Sequence, residues 1–163
     1  MKKLITLLFP ILFLVMVSLA CQTGSAPTPQ SFLHKLQEWI EVGDYDVFVH
    51  QIIIETEVVE GKRLVLIEVE YANQRSAEAL SCRRNQWVLY DAQGYSYEAE
   101  YNDSLYADKN LQYLGGDRFL NQGLRLRGWL AFKIPENASV QRLQFFTSFL
   151  GTEAVDILVE EQK

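Results

Sequence analysis

The chain has 163 residues, 48% of them apolar, and a formal charge of −6 from 21 acidic and 15 basic side chains. That length fits one domain, and that apolar fraction fits a packed core rather than a disordered chain. The acidic balance repels phosphate backbones and anionic headgroups, which excludes nucleic acid as a partner and direct electrostatic adhesion to a membrane.

Met1-Lys2-Lys3 is a short basic start, and Leu4 to Leu19 is apolar except for Thr6, Pro10 and Ser18. A membrane-spanning helix needs about 20 apolar residues. This run is shorter, carries Pro10 in its middle and has no basic cluster behind it, so residues 1–20 read as a signal peptide. Val17-Ser18-Leu19-Ala20-Cys21 then resembles the lipobox of bacterial lipoproteins, with small Ala20 directly before the cysteine. Ser18 departs from that pattern, which usually has Leu or Val there. The resemblance implies a diacylglyceryl thioether on Cys21, often with a further acyl group on its amine. One acyl chain binds marginally and two anchor stably. The membrane is therefore an expected partner, reached through a lipid anchor on its extracytoplasmic face. Gln22, where an aspartate would favour retention, points to the outer membrane in a host that has one. Losing Lys2 and Lys3 with the leader takes the charge from −6 to −8.

Gln22 to Gln30 is a polar tether containing two prolines, which stiffen it. Fully extended, it reaches about 30 Å. Ser31 to Val42 supports two readings. Phe32, Leu36, Trp39 and Ile40 share a helical face between a possible Ser31 N-cap and Gly43, whereas Glu38 to Val42 alternates as a strand does.

From Asp44 the pattern is β. Tyr45 to Val58 is rich in Val, Ile and Phe and ends at the turn Glu60-Gly61-Lys62. Val65, Ile67, Val69 and Tyr71 share one strand face, with Glu68 and Glu70 on the other, before Ala72 to Ser76 breaks the run. Trp87 to Tyr90 leads into the turn Asp91-Ala92-Gln93-Gly94, and Tyr95, Tyr97, Ala99 and Tyr101 then share a face. Asn102 to Gly123 reads as a long irregular loop, a class usually functional or mobile. Leu126, Gly128, Leu130, Phe132 and Ile134 form another face, closed by Pro135-Glu136-Asn137. Leu143 to Phe149 and Val155 to Val159 follow. About seven strands without βαβ spacing predict an all-β, two-sheet sandwich.

Three stretches carry a further resemblance: Glu41-Val42-Gly43-Asp44-Tyr45-Asp46-Val47; Val69-Glu70-Tyr71-Ala72-Asn73 with Tyr90-Asp91-Ala92-Gln93-Gly94; and Gly128-Trp129-Leu130-Ala131-Phe132-Lys133-Ile134-Pro135 with Leu143-Gln144-Phe145. Together they look like the telokin-like, immunoglobulin-related domains of unknown function in bacterial secreted proteins and lipoproteins. The likeness covers roughly Glu38 to Val159, with Asn121-Gln122-Gly123 standing where the family often has Pro-Gly. It implies an immunoglobulin-like sandwich that opens with a strand over Glu38 to Val42. It supplies no catalytic residues. The expected organisation is a leader over 1–20, Cys21 and the tether over 21–37, and the sandwich over 38–163.

Catalytic material is thin. His34 lies near the tether and His50 within a strand, no Gly-x-Ser-x-Gly elbow occurs, and two histidines with one spare cysteine make a poor zinc set. Asp103 and Asp108 lack the ligand spacing of an EF-hand. No metal and no cofactor are expected. Cys82 precedes Arg83 and Arg84, which could lower a thiol pKa; the plainer reading is a small buried hydrophobe. A Cys21–Cys82 disulfide is open to the chain if Cys21 carries no lipid. Tyr90, Tyr95, Tyr97, Tyr101, Tyr106 and Tyr113 crowd one third of the domain, and Trp129 shares a strand face with Arg127 and Lys133. Such side chains dominate binding surfaces. The expected function is a non-enzymatic binding or structural module engaging a protein or cell-envelope component through the 102–123 loop, with Tyr106, Tyr113 and Trp129 as binding residues. The alternatives are a module for carbohydrate or calcium and an envelope hydrolase.

Overall fold

The computed structural model describes residues 33–101, 103–114, 116–148 and 153–159. The leader, Cys21 and the tether up to residue 32 lie outside the described residues, as do the side chains of Leu33, Asp103 and Ser104.

Eleven strands make up the described domain: β1 (Leu33–His34), β2 (Trp39–Val42), β3 (Tyr45–Val59), β4 (Lys62–Ala72), β5 (Leu80–Cys82), β6 (Trp87–Asp91), β7 (Ser96–Glu98), β8 (Arg118–Leu120), β9 (Arg125–Pro135), β10 (Val140–Phe146) and β11 (Ala154–Leu158). One sheet, A, runs β1-β11-β10-β6-β7, and a second, B, runs β2-β3-β4-β9; β5 and β8 pair separately. All pairings are antiparallel except β1 with β11.

The two sheets face each other because each strand alternates. Val47, Val49, Val65, Ile67, Val69, Tyr71, Leu130, Phe132 and Ile134 of sheet B meet Trp87, Leu89, Leu143, Phe145 and Ile157 of sheet A in one core. At its centre Tyr71 packs edge-on against Trp87 and Phe145. Its hydroxyl accepts the Trp87 Nε1–H at 2.7 Å and lies 3.1 Å from the Arg83 carbonyl, so no polar atom of the pair is left bare. The predicted all-β sandwich is the fold of this chain.

Local chemistry explains the turns. Glu60 and Gly61 both take positive φ, 53° and 72°, the backbone that joins β3 to β4 with the twist of the strands. Of the two readings of 31–42, the strand is found: Trp39–Val42 pairs with Tyr45–Phe48, and Gln37 at φ 63° breaks any helix before it.

Three expectations need correction. The face predicted from Tyr95 to Tyr101 is a strand only over Ser96–Glu98, leaving Tyr95 and Tyr101 exposed. The long loop is structured in part, with a six-residue helix, α1 (Asp103–Asp108), and strand β8. Strand β10 ends at Phe146, before Thr147, and Phe149 lies outside the described residues.

Candidate functional site

The outer face of sheet B, turned away from the core, divides into a polar half and an apolar half. The polar half is a ladder of paired charges across three strands. Arg127 clasps Glu68 with two hydrogen bonds of 2.8 Å, and Gln51 donates to the same carboxylate at 2.9 Å. These bonds, the Arg127 pair first, hold the Glu68 carboxyl below its ordinary pKa. Glu70 is shared between His50 at 2.8 Å and Arg125 at 3.2 Å, and the Arg125 guanidinium lies 4.9 Å over the Trp39 ring. Every charge in the ladder has a partner, which is why two glutamates can lie 8% exposed there. Full pairing makes this half a structural surface.

The apolar half is covered. Leu64, Leu66 and Ala131 from β4 and β9 pack with Tyr106, and Leu105, Leu111, Tyr113 and Trp129 close around them. Segment 100–114 also closes the outer edge of β9. Glu100 N–H donates to the Ala131 carbonyl at 2.7 Å, and Ala131 N–H donates to the Tyr106 hydroxyl at 3.0 Å. Trp129 exchanges bonds with Gln112 O (2.8 Å) and Leu114 N (3.0 Å). Gly128 permits that approach: a Cβ there would sit 3.1 Å from Leu114 Cβ and 3.2 Å from Gln112 O.

This arrangement sorts the sequence-predicted binding residues. Tyr106, Tyr113 and Trp129 are brought together, but as the packing of the cover. Tyr106 is 1% exposed, so the expected exposed ring is a core ring, and burial raises its phenol pKa. Tyr113 stacks on it at 4.1 Å and is half-buried, as is Trp129. The tyrosine-rich third is not one patch. Tyr90 lies on sheet A, under the Arg142 guanidinium, and Tyr97 donates to Asp91 at 2.6 Å. Cys82 is fully buried and its thiol pKa is pushed up to about 12 by that burial, so Arg83 and Arg84 do not activate it. His34 and His50 pair with Glu38 and Glu70. Among the described residues, no group of three or more His, Cys, Asp or Glu side chains could hold a metal.

Sequence reasoning missed the cleft where the cover ends. A cavity of about 310 Å3 lies between the tip of the β3–β4 hairpin and α1. Val59, Leu64 and Leu105 supply its apolar lining. Glu55, Glu57 and Glu60 line it from β3 and its turn, Lys62 and Arg63 from β4, Lys133 from β9, and Lys109 from just after α1. Lys109 bonds Glu55 at 2.6 Å and fixes α1 to the hairpin. A cavity of this size, with mixed charges over an apolar lining, falls at the small end of ligand-binding sites. One signal pointed there: a predicted strand of some fourteen residues beside a neighbour of five must overhang it.

Solved structures share the fold. The YjhA protein of Bacillus subtilis is 16% identical and superposes with a TM-score of 0.59 over 78% of this chain and 100% of its own. A secreted protein of Mycobacterium tuberculosis, MPT63, is 14% identical, with a TM-score of 0.56 over 82% of this chain and 99% of its own. A candidate lipoprotein of Bacillus subtilis, YcdA, is 12% identical, with a TM-score of 0.52; 72% of this chain matches 38% of that one. At these identities the likeness establishes the sandwich and nothing further. No curated protein matches the sequence. Residues 34–155 match the model of a domain of unknown function, DUF4352, and at that coverage the chain belongs to the DUF4352 family.

Proposed function

We propose that the chain is an extracytoplasmic lipoprotein, held at a membrane through Cys21, whose sandwich is a non-enzymatic binding module for a protein or cell-envelope component. The leader and the Val17–Cys21 stretch support the address, and two proteins of the same fold are described as secreted and as a candidate lipoprotein. The observation that carries the binding reading is the cleft of about 310 Å3, framed by the β3–β4 hairpin and by the helix of the long loop. Loops held on a rigid scaffold are where recognition concentrates. Both histidines are engaged with carboxylates and the Cys82 thiol is buried, so neither supplies a nucleophile–base pair.

A photo-crosslinking side chain placed at Leu105 in living cells should trap a discrete partner, whereas one at Tyr95, between β6 and β7 of the other sheet, should not. Equal trapping at both positions would refute the cleft as the binding site. Cys21→Ser should move the protein out of the membrane fraction, and continued attachment would overturn the anchor. The cleft's volume also favours a small-ligand reading with carbohydrate as the candidate, whereas no cluster among the described residues suits calcium. A thermal shift on adding glycans would support it by mass action.

A further inference from the structure

We infer that the overhanging edge of β3 is a strand-addition site for an extended polypeptide segment of alternating cationic and apolar residues. The inference rests on the binding-module reading and names the partner's class.

Sheet B treats its two edges in opposite ways. The β9 edge is closed by Glu100, Tyr106, Gln112 and Leu114, as described above. The β3 edge is closed only at one end. β2 pairs with Tyr45–Phe48, and Gln37 N–H reaches the Val49 carbonyl at 3.0 Å. From Gln51 to Val59 no described residue pairs with β3 on the side away from β4. Backbone donors and acceptors on that side are a template for another strand. Sheets defend such edges with charges, lysine above all, or with proline, bulges or brevity. This stretch has no lysine or proline and runs nine positions, with Ile52-Ile53-Ile54 and Val58-Val59 among them. Its charges, Glu55 and Glu57, oppose an acidic partner strand and not a cationic one. Ile53 is 42% and Val59 61% exposed. The register shift between Ile54 and Val58 leaves Glu55–Glu57 without regular partners on β4, while the strand continues through them to Val59.

The cleft lies beside this edge, on the outer face. A strand added to β3 would therefore gain main-chain hydrogen bonds and find a side-chain pocket adjacent to them. Strand-addition sites use that combination, with hydrogen bonds giving affinity and pockets giving specificity. The wall nearest the edge sets the charge of the guest. Glu55 and Glu57 lie on β3 itself, the strand a guest would pair with directly. Lys62 and Arg63 of the same cleft lie on β4 and Lys133 on β9, farther from the edge, and Lys109 bonds Glu55. Side chains arriving from the edge meet these carboxylates first. The alternate side chains of the same segment fall on the opposite face, beside Ile52 and Ile54, which pack against the main core and suit apolar neighbours.

A second copy of the chain fits worse. Antiparallel pairing of two β3 edges centred on Thr56 sets Glu55 opposite Glu57. Centred on Ile53, it drives Val58 onto the partner's Phe48, a position already occupied by Trp39. Two chains of charge −6 also repel.

The test uses the full chain in non-ionic micelles and a fluorescent probe peptide, Lys-Val-Lys-Val-Lys-Val-Lys. Binding read by anisotropy should weaken at least tenfold when glutamate replaces lysine in the probe, and again in a Glu57→Lys/Glu60→Lys double variant. Methylating alternate backbone nitrogens of the probe should abolish binding in one of the two frames, and bound probe should slow hydrogen exchange across Gln51–Val59. Undiminished binding by probes methylated in either frame would mean charge attraction without strand addition and would overturn the inference. A concentration-dependent doubling of mass that Ile53→Lys removes would assign the edge to a second copy and overturn it as well. Silence of the probe while the Leu105 crosslink still forms in cells overturns this inference and leaves the binding module standing. Loss of the crosslink too would remove both.

Discussion

Replacing Tyr106 tests whether the cover is part of the folded core or a detachable surface. The ring is 1% exposed, stacks on Tyr113 and packs on Leu64, Leu66 and Ala131. Truncating a buried aromatic to alanine costs about 3–5 kcal/mol, because transfer and cavity costs add. Tyr106→Phe keeps the ring and removes the hydroxyl that accepts the Ala131 N–H at 3.0 Å. A buried donor left without a partner costs about 1–3 kcal/mol. In a domain of this size each kcal/mol shifts the melting temperature by about 3–4 °C. Tyr106→Phe should therefore melt about 3–12 °C lower, and Tyr106→Ala lower still, by circular dichroism and urea titration. A melting temperature within about 1 °C of wild type for Tyr106→Phe would show that the Ala131 N–H does not depend on the phenol. Full stability in Tyr106→Ala would refute the packing argument altogether.

Glu68 makes a pH prediction with a definite sign. Its folded pKa is depressed by Arg127, so its stabilisation is present above the unfolded carboxylate value and is lost as pH falls through the folded one. The stability gap between wild type and Glu68→Gln should close below about pH 4 in urea titrations; a gap unchanged at pH 3 would contradict the pairing. Cys82, with its thiol pushed up to about 12, should be silent to a thiol reagent at pH 8 in the native protein and react fully once unfolded. Native labelling at the unfolded rate would refute its burial. Gly128→Ala has no backbone penalty but meets Leu114 and Gln112, so it should loosen the cover. Faster exchange of the Trp129 amide, with β6 and β10 unchanged, checks this.

Much of the fold could be read from alternation. Val65, Ile67, Val69 and Tyr71 announced the core face of β4, and Glu60-Gly61 announced the hairpin turn, because each depends on neighbours in sequence. The cover could not be read in the same way. A six-residue helix is too short to show a 3.6-residue period, and β5 and β8 are three residues each. Their positions follow from long-range packing, which leaves no local trace. One clue was present: Leu64-Val65-Leu66-Ile67 is apolar on both strand faces, the pattern of a strand covered on both sides. It foretells a lid over the outer face and explains why Tyr106, taken for a surface residue, is buried. The cleft depends on where strands stop relative to one another, which composition and periodicity do not encode.

The four hydrogen bonds that fasten segment 100–114 to β9 lie outside any regular ladder, and the cluster beneath the segment is separate from the main core. The cover can therefore open as a unit of its own, with a free energy below that of global unfolding. Two amides, Trp129 and Ala131, would report that opening in native-state exchange, while the inner strands wait for the whole sandwich. Since α1 also walls the cleft, the same opening would widen the cavity beside β3, tying access at one side of sheet B to the breathing of the other.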